Sequence, residues 1–131
     1  KSLVLWSAVA HPAENFQKYL EELSKVHIND QHWLVDNGGF AIGDKFFDTL
    51  PVIKPLKVVA LFTGPALIIH GKKDVSVPLS SAYEYRNVLN AREGATVELH
   101  IVENADHVFS SIPLTNQVIN KTVDWFEKTL K

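Results

Sequence analysis

Two short stretches carry residues able to do chemistry. The first, IIHGKKDVSVP from Ile68 to Pro78, ends an apolar run in Gly71 and sets Asp74 just beyond it; the second, ADHVF, presents His107 33 residues later. An acid at the carboxyl end of a strand stands where open α/β sheets do their chemistry. A carboxylate and an imidazole within hydrogen-bond reach can turn a hydroxyl into a nucleophile. The imidazole takes the hydroxyl proton, and the carboxylate fixes the ring's tautomer and stabilises the imidazolium. Histidine suits the task because it titrates near neutral pH.

Each residue also has a plainer reading. Asp74 can simply close the turn after Gly71, as aspartates often do. Glu103 and Asp106 are competing acids, although Asp106 adjoins His107 and is expected to point elsewhere. His70, at the end of an apolar run, reads as a satisfied core histidine. His11, His27 and His32 show no metal-ligand pattern such as H-E-x-x-H, so neither a metal nor a cofactor is expected. Lys72 and Lys73 read as a solvated loop face. It is the pairing of Asp74 with His107 that outweighs the turn reading.

The elements that would position this pair follow from hydrophobic patterning. Leu3–Val9 and Pro65–Gly71 are nearly unbroken apolar runs, as expected of strands buried on both faces of a parallel sheet. Thr96–Val102 alternates instead, with Val97, Leu99 and Ile101 against Glu98 and His100, which fits an outer strand with one wetter face. Between the last two strands, Ser80–Ala91 reads as a helix, capped by Ser80 or Ser81 and stopped near Gly94, completing a βαβ unit. A closing helix from about Leu114 to Leu130 places Ile119, Val123, Phe126 and Leu130 on one stripe, with Val118 and Trp125 beside it.

Residues 11–62 are too long for a simple crossover and read as an insertion. Phe16, Tyr19, Leu20 and Leu23 suggest a short amphipathic helix, and Asn37-Gly38 in VDNGGF suits a hairpin turn. Trp33, Phe40, Phe46, Phe47 and Phe62 could line an acyl pocket, but most of them are expected to form the insertion's own core.

Composition bounds the class. With 131 residues, 46% hydrophobic, 21% charged and a net charge of −2, the chain is of ordinary globular balance, with no basic excess to suit nucleic acid. No apolar run reaches the roughly 18 residues of a membrane span. Cysteine is absent, which removes disulfides, thiolate metal sites and cysteine nucleophiles. Lys1 is followed almost at once by a strand, as in a chain cut from a longer one. Targeting is therefore not readable, and cytoplasm is only the default expectation.

IIHGKKDVSVP followed by a helix, a strand and ADHVF resembles the C-terminal half of an α/β-hydrolase. The resemblance is specific over Pro65–Lys131. It implies a partial α/β-hydrolase fold, three parallel strands with flanking helices plus a cap-like insertion at about 11–62, so that residues 1–131 are the C-terminal part of one domain. It also implies that Asp74 is the triad acid and His107 the triad base. GGFAIGDKFFDTLPV is similar to the cap region of feruloyl (cinnamoyl) esterase-like hydrolases.

The nucleophile is not in the chain. No G-x-S-x-G occurs, and Ser7, Ser76 and Ser110 lack the glycines of a sharp strand-to-helix elbow. The resemblance puts the elbow upstream of Leu3–Val9, with the oxyanion hole further upstream still. The expectation is therefore part of a serine hydrolase for small carboxylic esters, inactive as this chain alone. The alternatives are a non-catalytic binding module and a peptidase or thioesterase of the same fold. The Leu3–Val9 strand, lacking an outer neighbour, is expected to drive self-association.

Overall fold

A computed structural model describes residues 1–22, 25–37 and 39–130. Along the chain the elements are β1 (Leu3–Trp6), α1 (Pro12–Glu22), β2 (Lys25–His27), β3 (Trp33–Asn37), β4 (Phe40–Gly43), α2 (Asp44–Thr49), a 3-10 turn (Leu50–Val52), α3 (Pro55–Val59), β5 (Ala66–Gly71), α4 (Leu79–Asn90), β6 (Val97–Val102) and α5 (Ile112–Thr129). They divide into two compact units, Lys1–Ala10 with Pro55–Lys131, and His11–Lys54.

The first unit is a parallel sheet in the order β1-β5-β6. Its middle strand explains the unbroken apolar run, because every residue of β5 is buried. Alternation sends Ala66 and Ile68 to one face, against Ala82, Tyr85 and Leu89 of α4. Leu67 and Ile69 go to the other, against Phe109, Val118 and Trp125. Each fully buried Leu or Ile contributes about 1.5–3 kcal/mol, so β5 is the axis on which both helical layers are anchored. The alternating strand, β6, lies at the edge as its pattern implies.

Three local expectations need correction. β1 ends at Trp6 rather than Val9, because Ser7 adopts φ 43 and breaks the extended run. It is also only half-buried, with Trp6 exposed, since its one sheet neighbour is β5. α4 is not capped by Ser80 or Ser81: its N-cap is Pro78, and Ser81 lies buried within the helix. Its last cap is Ala91, while Gly94, at φ 65, serves the turn that leads into β6.

The third correction concerns α5. Its buried face is Val118 and Trp125, whereas Ile119, Val123 and Leu130 are 42%, 48% and 57% exposed. Two threonines share the buried side. Thr122 accepts a hydrogen bond from Trp6 Nε1 at 2.9 Å, and Thr129 bonds Ser2 at 2.9 Å. A stripe drawn through apolar residues alone misses those threonines and so rotates the helix. Ser111 caps its start, accepting from the Leu114 amide.

The second unit is an antiparallel meander, β2-β3-β4, with α1 and α2. β3 and β4 form the expected hairpin with Asn37 opposite Phe40; Gly38 of its turn lies outside the described residues, as does Leu23. The core is Val35, Phe47 and Leu50 with Phe16, Leu20, Trp33 and Ile42 around it. Trp33 stacks on Phe47 at 5.3 Å, and Phe46 meets Phe16 edge-on at 5.1 Å. Of the five aromatics weighed from the sequence, Trp33 and Phe47 are core here, while Phe46 and Phe40 are 39% and 77% exposed. Phe62 belongs to the first unit, as does α3, which packs there through Leu56 and Val59. Among the described residues no helix is long and apolar enough to cross a membrane.

The Leu3 and Ser7 amides donate to Pro65 and Ile69 of the β5 side at 3.0 and 2.9 Å. Strand alternation then turns the Val4 and Trp6 backbone groups outward, a template for another strand. We predict concentration-dependent self-association in sedimentation equilibrium, abolished by Val4→Pro, which removes an outward donor. A single monomeric species at the highest attainable concentration contradicts it.

Candidate active site

The site grows from the register of two strands. β5 and β6 pair from Ala66 opposite Val97 to Gly71 opposite Val102, so their carboxyl ends stop level and the following loops start side by side. Backbone bonding continues past the strands: Lys72 N–H donates to Val102 C=O and Lys73 N–H to Ala105 C=O, both at 2.9 Å. At Gly71 the two chains touch. A Cβ there would lie 2.4 Å from the Ala105 oxygen and 2.5 Å from the Asp106 oxygen, so this position admits only hydrogen.

Asp74 leaves the Gly71 turn with its amide donating to Gly71 C=O at 3.2 Å. Its side chain is completely buried. Oδ1 accepts from the amides of Ser76 and Val77 at 2.9 and 2.8 Å, the aspartate-closed turn of the plainer reading. Oδ2 faces Nδ1 of His107 at 2.8 Å. One carboxylate thus serves the turn with one oxygen and the imidazole with the other. The His107 side chain is 37% exposed, so an imidazole held at Nδ1 by a buried acid can exchange protons through its other nitrogen.

The competing acids are otherwise engaged. Glu103 pairs with Lys72 at 2.6 Å, and that carboxylate holds the Lys72 ammonium above its usual pKa. Asp106 accepts from both the hydroxyl and the amide of Ser110, which together hold its carboxyl below the usual carboxylate range. This clasp spans His107. Phe109, at φ 55, accepts from Thr115 Oγ1 at 2.6 Å and lies edge-on to Trp6 at 6.3 Å. Left-handed backbone is costly for a bulky residue, and such strain collects at functional sites. Ser7 is the other non-glycine residue with positive φ among those described. Both line a recess of about 290 Å³ beside His107, with Trp6, Val108 and Thr115.

Of the serines weighed from the sequence, Ser110 is bound to Asp106, and the Ser76 amide is held by Asp74. Ser7 is buried at the recess, with its hydroxyl unpartnered. His32 pairs with Asp44 at 2.7 Å in the second unit. His70 departs from the satisfied core residue expected. It is wholly buried, Nε2 meets Val77 C=O at 3.1 Å and Asp74 Oδ2 at 3.3 Å, and Nδ1 has no partner. A buried polar atom left unmet costs about 1–3 kcal/mol. The signal available in the sequence was the spacing of His70 and Asp74 across Gly71.

Two expected outcomes follow. Gly71→Ala should lower unfolding stability by about 1–3 kcal/mol through overpacking and shift the His107 resonances in an NMR spectrum; unchanged His107 signals would refute the contact. The folded pKa of Asp106 lies below its unfolded value, so its contribution is complete above the ordinary carboxylate pKa and is lost as pH falls through the lower folded one. Urea denaturation between about pH 5 and pH 2 should therefore show a shallower acid loss for Asp106→Asn than for the unsubstituted chain.

A model of the prolyl oligopeptidase family matches residues 16–131. No curated protein matches the chain. Among solved structures, the crystal structure of the esterase domain from a Rhodothermus marinus protein is similar with a TM-score of 0.70 and 19% sequence identity. The similarity covers 100% of this chain and 52% of that one, so the chain spans about half the length of its structural neighbour. The likeness shows the fold: a mixed α/β architecture of the α/β-hydrolase type, with three parallel strands flanked by helices.

Proposed function

Because the chain belongs to the prolyl oligopeptidase family, we propose that it is the acid- and base-bearing part of a serine hydrolase that cleaves carboxylic esters by acyl transfer to water. The observation that carries this reading is the 2.8 Å contact between buried Asp74 Oδ2 and half-exposed His107 Nδ1. In that role His107 Nε2 takes the proton of a serine hydroxyl as it attacks the ester carbonyl, then returns it to the departing alcohol. A water attacks the acyl-enzyme in the same way, and Asp74 stabilises the imidazolium at each stage.

The proposal gives the nucleophile and its oxyanion donors to polypeptide outside this sequence. Support comes from the lack of any G-x-S-x-G here and from the coverage of about half of the neighbouring esterase domain. The chain alone is then inactive. His11–Lys54 takes the part of the cap-like insertion, and the resemblance of GGFAIGDKFFDTLPV to feruloyl esterases makes an aromatic acyl group the first to try. The family match favours one second reading, a peptidase using the same acyl chemistry on an amide.

The test uses the full-length gene product. A fluorophosphonate probe should label one serine, mapped by peptide sequencing outside residues 1–131. Turnover of methyl cinnamate and p-nitrophenyl acetate should exceed that of a prolyl p-nitroanilide; the reverse order selects the peptidase. Asp74→Asn should retain the fold and lower kcat by about 10⁴-fold, the loss known for a triad acid. Absence of both label and turnover would mean a non-catalytic binding module.

A further inference from the structure

We infer that His70 is a positioning residue for the Asp74–His107 pair, its Nε2–H shared between Val77 C=O and Asp74 Oδ2 so that the carboxylate keeps Oδ2 turned toward His107. The assignment rests on the reading of that pair given above. It begins with burial, since the side chains of His70 and Asp74 are both 0% exposed, so neither can trade its contacts for water.

Chemistry then fixes the proton. Val77 C=O at 3.1 Å can only accept, so Nε2 of His70 is the nitrogen that donates. Asp74 Oδ2 lies 3.3 Å from the same atom, close enough to share the donor. Nδ1, buried without a partner, is left as the bare nitrogen of that tautomer. A proton on Nδ1 would be a second buried donor with nothing to receive it.

The carboxylate then meets three hydrogen-bond donors, with a fourth N–H close beside it. Ser76 and Val77 amides hold Oδ1, His107 holds Oδ2, and His70 Nε2 stands 3.3 Å from Oδ2. The amides fix one oxygen but leave the carboxylate plane free to swing about it. His70 removes that freedom, and through Val77 C=O it ties the same plane to the turn that supplies the amides. Because His70 stands on β5, the most buried strand, the orientation of the acid is referred directly to the sheet. A 1 Å displacement of a group in such an arrangement can cost about 100-fold in rate.

The experiment compares the intact gene product with its His70→Leu and His70→Gln variants, labelled with ¹⁵N-histidine. Multiple-bond ¹⁵N–¹H correlation reports which ring nitrogen carries each proton. In the unsubstituted protein His70 should be the Nε2–H tautomer and His107 should hold its proton on Nδ1. His70→Leu, which keeps volume but has no donor, should mix the His107 tautomers and lower kcat by roughly 10- to 100-fold with KM little changed. His70→Gln, whose amide can donate from the Nε2 position, should recover most of both. A His70 ring protonated on Nδ1 in the unsubstituted protein overturns the inference, and this readout needs no variant to fold. A His107 that lacks the Nδ1 proton there overturns the parent reading as well. A normal His107 left unchanged by His70→Leu overturns this inference alone and returns His70 to the core.

Discussion

The contact between the end of β5 and the loop after β6 is the constraint on which the rest of the site depends. Gly71 lets the Ala105 and Asp106 carbonyls approach to distances that no side chain would permit. The backbone bonds of Lys72 and Lys73 then hold the two loops together beyond the sheet. Parallel strands can bring residues far apart in sequence to one edge, but only in register. Here the level ends of β5 and β6 convert register into an acid-to-imidazole distance. The hydrophobic burial of Leu67, Ile68 and Ile69 stabilises that register, so core packing and site geometry are coupled through a single strand.

A fully buried carboxylate is costly unless its oxygens are met. Asp74 is met by two turn amides and the His107 imidazole, with His70 Nε2 3.3 Å from Oδ2, each supplied by structure that exists for another reason: the turn before α4, the loop after β6 and the end of β5. His107 by contrast stands partly in solvent, on a loop clasped by Asp106 and Ser110. The two partners therefore sit on opposite sides of a boundary, one fixed by the interior and one presented to whatever enters the recess.

Much of this was legible in the sequence where one physical signal dominated. The unbroken run at Pro65–Gly71 marks a strand covered on both faces, and the alternation of Val97–Val102 marks an edge. The meeting of Asp74 with His107 could be anticipated because one helix and one strand fit between them. Signals that depend on partners were harder to see. The buried face of α5 is not visible in the apolar pattern because Thr122 and Thr129 share it. The end of β1 carries no signal because the left-handed turn at Ser7 has no glycine to announce it. His70 read as core because burial is visible in a hydrophobic run, whereas a contact made back across a turn is not periodic.

The divided duty of the Asp74 oxygens also bears on how such sequences evolve. Because Oδ1 closes the turn before α4, selection for folding alone is enough to keep an aspartate there, whatever becomes of the reaction. On the proposed reading, a copy without the reaction would still need this aspartate for its turn. His107 has no comparable second duty in the turn, and its ring is the first part of the pair free to drift. In the proposed role, the histidine rather than the aspartate is therefore the position held by the reaction alone.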